Sequence, residues 1–194
     1  MEIQGDISPK ATLHGTGIHI GRGTIVEDGA FIAGPTIIGS NCEIRHGAYV
    51  RGEVLTGNGC IIGHSSEIKH SIMLDESKAS HFAYVGDSIL GHRVNLGAGT
   101  KLSNLTIVSM KNSATNKRPT VHIQINGHRQ DTGLAKLGAI LGDDVQTGCN
   151  CVTNPGCLVG PRTLIYANTS LPKGYTPPDS LVKLRQETIV VSKH

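Results

Sequence analysis

Residues 20–74 read IGRGTIVEDGAFIAGPTIIGSNCEIRHGAYVRGEVLTGNGCIIGHSSEIKHSIML. An aliphatic side chain returns at every sixth position, through Ile20, Val26, Ile32, Ile38, Ile44 and Val50 to Ile62, Ile68 and Leu74, with Thr56 interrupting the series and Ser80 next in the frame. A mostly small residue follows four positions later: Thr24, Ala30, Thr36, Cys42, Ala48, Val54, Cys60 and Ser66. A β-sandwich would alternate with a period of two, so a period of six argues against it. Each hexad makes one short strand and one turn. Three hexads close a triangular coil of about 18 residues, and coils stack so that equivalent positions bury a common core. The fold class expected is therefore all-β: a left-handed parallel β-helix of hexapeptide repeats, with a long inserted loop and hairpin.

The composition agrees. Aromatic residues are 3% of the chain and Trp is absent, which suits an interior too narrow for large rings. The 25 glycines supply tight turns with positive φ. A formal charge of +3 is compatible with anionic small molecules but too weak to imply nucleic acid. No segment approaches the roughly 18 apolar residues of a membrane span, and the N-terminus lacks the apolar core of a signal peptide, so a cytoplasmic protein is expected. Cys42, Cys60, Cys151 and Cys157 fall at inward repeat positions, Cys149 faces elsewhere, and no CxxC spacing suggests zinc or redox chemistry.

The repeat breaks twice. The aliphatic positions Leu90, Leu96 and Leu102 leave the frame set by Ile20, which reads as four residues inserted near 80–84, at SHFAY. After Leu102-Ser103-Asn104 the pattern stops until Leu141, and the gap holds a polar stretch followed by a hairpin, Val121–Ile125, turning at Asn126-Gly127. Hexads resume at Leu141, Val159, Ile165 and Leu171, with Thr147 and Thr153 between. The expected organisation is a β-helix over 1–171, an inserted loop and hairpin at about 105–136, and a non-repeating tail over 172–194.

VGDSILGHRVNLGAGTKLSN between the breaks, with Arg51, GHSSEIKH upstream and LGDDVQTGCN downstream, resembles the acetyltransferase half of the bifunctional N-acetylglucosamine-1-phosphate uridylyltransferase/glucosamine-1-phosphate acetyltransferases. KLGAILGDDVQTG after a hairpin is similar to related sugar-1-phosphate nucleotidylyltransferases whose β-helix acetylates amino-sugar phosphates. The resemblance covers most of 20–171. It implies an acetyl-CoA-dependent N-acetyltransferase of UDP-N-acetylglucosamine biosynthesis, most simply acting on glucosamine 1-phosphate, and a homotrimer with sites at subunit interfaces.

The resemblance also implies roles. His81, in H-x-x-Y with Tyr84, matches the general base, and imidazole suits acceptance of a proton from the amine near neutrality. Glu67 matches an acidic residue near that base. Arg51 and Lys69, a coil apart, match the holders of the sugar phosphate, where a guanidinium fork and an ammonium point charge complement each other. Asn95 matches a sugar contact, and Asn104 a residue beside the reacting acetyl group that would stabilise the oxyanion. Cys149, Ala167 and Arg185 match acetyl-CoA contacts, with Lys183 competing for the last. Asp87 reads as structural. The position of the family lysine after Asn104 holds Met110, with Lys111 adjacent and Lys117-Arg118 further on as candidate substitutes. The 194 residues show no Gly-rich nucleotidyl-transfer loop before the β-helix, so uridylyl transfer by these residues is not expected.

Two rival readings share the fold. One is a non-catalytic, trimerising β-helix of a nucleotidylyltransferase. The other is a zinc γ-type carbonic anhydrase using His64, His70 and His92, whose first pair is six residues apart rather than five. No metal is expected in the acetyltransferase reading.

Overall fold

The computed structural model describes residues 2–125, 127–187, 189 and 191–192. Every regular element among them is a strand. The strands stack into three parallel sheets, two of nine strands and one of eight, which form the faces of a β-solenoid. Face A begins with Glu2–Ile3 and Ile18–Ile20, face B with Asp6–Ile7 and Ile25–Val26, face C with Thr12–His14 and Phe31–Ala33. The chain visits A, B and C in turn, so each coil pairs only with the coils before and after it.

The repeat positions build the core. Ile20, Val26, Ile32, Ile38, Ile44, Val50, Ile62 and Ile68 are buried, as is the small set from Thr24 to Ser66. Thr56 is buried too, so the interruption is a polar side chain on an inward rung. The four repeat cysteines are buried and Cys149 is exposed. Burial pushes the Cys157 thiol up to about 11.

The frame shift has a different cause from the one expected. The inward positions run Ile68, Met73, Ala79, Val85, Leu90, Leu96 and Leu102, so no residues are inserted near 80–84. Two steps contain five residues instead of six, Ile68 to Met73 and Val85 to Leu90, and Leu74 is displaced from the core position that the strict frame gives it. Each short step turns the C–A edge on a single residue with positive φ, His70 at 46° and Asp87 at 48°. Six-residue steps also turn on one left-handed residue, but it stands three positions after the inward residue, as Glu76 at 61° follows Met73, whereas His70 and Asp87 stand only two positions after Ile68 and Val85, and each short step loses its residue there.

The second break is an excursion from the C–A edge. Leu137 N–H donates to the Asn104 carbonyl at 3.1 Å and Gly138 N–H to the Asp87 carbonyl at 2.8 Å, so the coil closes beneath the excursion. Within it, His122–Ile125 and His128–Asp131 form the antiparallel hairpin. Asn126 of the expected turn lies outside the described residues. The solenoid continues past Leu171, correcting the non-repeating tail. Gly174–Thr176 adds to face A and Leu181–Val182 to face B, and Val182 packs on the core. The Pro177-Pro178 turn between these strands hides that coil from a hexad count.

Candidate active site

The edge between faces B and C carries one column of equivalent residues. His64 lies level with His81 in register. Gly99 N–H donates to the His81 carbonyl at 3.0 Å, Asn150 N–H to Ala98 at 2.8 Å, and Asn168 N–H to Cys149 at 2.9 Å. His81, Ala98, Cys149 and Ala167 therefore stand on successive coils of one edge. With strands about 4.8 Å apart, His81 and Ala167 are separated by about 14 Å. His46 and His64 continue the column the other way, their rings stacked 5.6 Å apart, and Phe82 meets His64 edge-on at 6.0 Å. The His81 ring is exposed and hydrogen-bonds to no side chain among the described residues.

Face C supplies a second group. Glu67 is level with Tyr49 below and Tyr84 above, and Lys69 with Gly86. The missing side chain of Gly86 leaves room that its neighbours enter: a β-carbon there would lie 2.6 Å from Tyr84 Oη and 2.7 Å from Asn104 Nδ2. Asn104 is buried and donates through Nδ2 to Asp87 Oδ2. Tyr84, Gly86, Asn104, Asp87 and Lys69 thus form one connected cluster.

Both expected phosphate ligands are already ion-paired. Arg51 Nη1 donates to Glu67 Oε1 at 2.6 Å, and the guanidinium lies 5.7 Å from the Tyr49 ring centroid. The hydrogen bond to Glu67 raises the Arg51 pKa. Lys69 Nζ donates to Asp87 Oδ2 at 2.8 Å. Glu67 is engaged by Arg51 rather than by the imidazole of His81, from which it stands on the far side of the B–C turn. Burial pushes the Asp87 carboxyl up, but hydrogen bonds from Lys69, His70 and Asn104 outweigh it and hold the group below its ordinary range.

The remaining expected residues are dispersed. Asn95 points outward on face B, between Lys78 and Gln146, and is separated from the Tyr84 cluster by the edge. Lys111 is exposed in the excursion. Arg185 makes no side-chain hydrogen bond or ion pair among the described residues, whereas Lys183 Nζ lies 5.3 Å from the Tyr166 ring centroid, next to Ala167. His64, His70 and His92 occupy three different edges of the solenoid: His64 ends a strand of face B, and His70 and His92 follow strands of faces C and A.

Gly86, Asp87 and Ala98 escaped the sequence reading as site residues. Ala98 lies 17 residues after His81, one coil on, but alanine carries no chemical signature.

Residues 32–173, which are 142 of the 194, match the family described as the GMPPB C-terminal domain. The chain belongs to that family. Among curated relatives of this GMPPB C-terminal domain protein, the bifunctional sugar-1-phosphate nucleotidylyltransferase/acetyltransferase of Sulfurisphaera tokodaii is 37% identical over 100 residues, 52% of this chain and 23% of the relative. The bifunctional protein GlmU of Methanococcus maripaludis is 35% identical over 127 residues, 66% of this chain and 28% of the relative. The chain thus spans about a quarter of the length of these relatives. Among solved structures, Francisella novicida UDP-N-acetylglucosamine acyltransferase has a TM-score of 0.57 at 15% identity, covering 87% of this chain and 59% of that one, a likeness of fold.

Proposed function

We propose that the protein transfers an acetyl group from acetyl-CoA to the amine of an amino-sugar 1-phosphate, glucosamine 1-phosphate being the simplest substrate. The observation that carries this reading is the adjacency of the two groups above. One edge has an exposed imidazole followed by three small residues, and the face next to it has a phenol, an amide and two cations. The acetyltransferase function in the name of the Sulfurisphaera tokodaii relative supports it further.

His81 takes a proton from the sugar ammonium, and the freed amine attacks the thioester carbonyl. The C–N bond forms first and gives a tetrahedral oxyanion; its collapse breaks the C–S bond, and the departing thiolate takes the second proton of the attacking nitrogen to leave as coenzyme A. Tyr84 and Asn104 contact the sugar and the reacting acetyl group. A backbone amide together with an Asn104 N–H stabilises the tetrahedral oxyanion. Arg51 and Lys69 hold the phosphate with donors that their carboxylate partners leave free, since a guanidinium has five N–H groups and an ammonium three. Ala98, Cys149 and Ala167 present backbone and small surface to the pantetheine arm, and Lys183 or Arg185 meets its phosphates. Asn95 borders the sugar and Lys111 approaches the phosphate from the excursion.

The working unit in this reading is a homotrimer whose neighbouring copy covers the open B–C edge. Ile107, Val108 and Met110 in the excursion are 99%, 87% and 85% exposed in the single chain and supply apolar surface for that contact.

The test is coenzyme A thiol release with a panel of amino sugars and their 1-phosphates. Turnover confined to a phosphorylated amino sugar is expected. Silence across the panel, with no binding of acetyl-CoA at millimolar concentration, would favour the non-catalytic trimerising β-helix.

A further inference from the structure

We propose that Asp87 is a positioning residue, whose carboxylate fixes the Asn104 amide and the Lys69 ammonium relative to each other before substrate arrives. The inference rests on the acetyl-transfer reading and deepens it.

Asp87 stands where three parts of the chain meet. Its side chain is 8% exposed. Oδ2 accepts from Lys69 Nζ at 2.8 Å and from Asn104 Nδ2, while Oδ1 accepts from His70 Nδ1 at 2.7 Å. Its main chain is tied as well. The N–H donates to the Lys69 carbonyl at 3.1 Å, and the carbonyl accepts from Gly138, the residue where the coil resumes after the excursion. The carboxylate is therefore held by both the coil before it and the coil after it.

This arrangement decides the polarity of Asn104. A carboxylate only accepts hydrogen bonds, so the amide edge facing Asp87 is the NH2 group. Nδ2 is also the atom that shares the Gly86 space with the Tyr84 hydroxyl, so Oδ1, on the other edge of the amide, is left as the acceptor for a substrate donor. An amine N–H held by that acceptor has its lone pair directed elsewhere, as attack on a thioester requires. The same contact consumes one of the two Asn104 N–H donors. Lys69, with an 18% exposed side chain, is anchored by the same oxygen atom. A shift in the carboxylate would therefore move a phosphate ligand and the amide together.

Asp87→Asn and Asp87→Gly are the variants of choice, because both residue types accept the φ of 48°. Asn keeps the shape without the charge, and Gly removes the side chain if Asn fails to fold. Steady-state kinetics and thermal midpoint are measured together with labelling of Lys69 by an amine reagent, read by peptide mass. The labelling does not depend on transferase activity. The expected result is a folded variant with kcat lowered about 100-fold by misplacement of reacting groups, KM for acetyl-CoA unchanged, and Lys69 labelled severalfold faster than in wild type. Wild-type kcat, or unchanged Lys69 labelling, overturns the proposal. Wild-type protein without transferase activity on any amino sugar overturns the acetyl-transfer reading instead, and the Lys69 labelling alone then decides whether Asp87 anchors that side chain.

Discussion

The hydroxyl of Tyr84 and Asn104 Nδ2 fill the place of a side chain on Gly86, 2.6 and 2.7 Å from where its β-carbon would stand. Real β-carbons do not approach other atoms that closely, so the glycine is part of the site's shape. Gly86→Ala is expected to push Tyr84 and Asn104 aside and lower kcat/KM about 100-fold. Tyr84 is half-buried and its ring can swing outward, so the thermal midpoint should fall only slightly. Comparing kcat/KM with the melting curve of the same sample checks this.

Glu67 faces Arg51 across adjacent coils, and that pairing separates two roles for the carboxylate. If it holds Arg51 for the phosphate, Glu67→Gln raises KM for the phosphosugar a few-fold and leaves kcat within about twofold, the pattern of lost uniform binding. A loss of kcat of about 100-fold would instead assign Glu67 to the base His81.

Cys149 is the one exposed cysteine of five. A thiol reagent should modify it rapidly and the other four only on unfolding. Acetyl-CoA should slow that modification, because Cys149 shares the edge of His81 and Ala167. Equal rates with and without acetyl-CoA would remove Cys149 from the cofactor path.

Asp87 also sets an acid limit. Its folded pKa is depressed below the ordinary carboxylate value. The stabilisation is therefore present above the unfolded pKa of about 3.9 and is lost as pH falls through the lower folded value. The thermal midpoint of wild type should fall more steeply below about pH 4 than that of Asp87→Asn.

Much of the fold was legible because a solenoid repeats the same packing problem on every coil. Ile20 and Ile62 solve it alike, so the period survives even where Thr56 stands on an inward rung. The frame shift was misread because, in a six-residue frame, two losses of one residue equal a gain of four. The losses fall just before the left-handed residues His70 and Asp87, and a missing residue at a turn leaves no mark of its own in residue type. The coil between Pro177 and Val182 was missed because prolines replace the aliphatic signal. Among the residues of the candidate site, His81, Tyr84 and Asn104 stood out through the motif and their reactive groups. Glu67 matched a residue near the base, but its carboxylate accepts from Arg51 at 2.6 Å, a contact between adjacent coils that the motif does not display. Asp87 read as structural because its contacts to Lys69, His70 and Asn104 join three coils, which no spacing in the sequence displays.

The central claim is that His81 is the base for acetyl transfer to an amino-sugar phosphate, and the most direct test is the coenzyme A release rate of His81→Ala beside wild type on the preferred substrate. The account predicts a fall in kcat of about 10²–10⁴-fold with KM for both substrates nearly unchanged. Wild-type turnover by His81→Ala would contradict it.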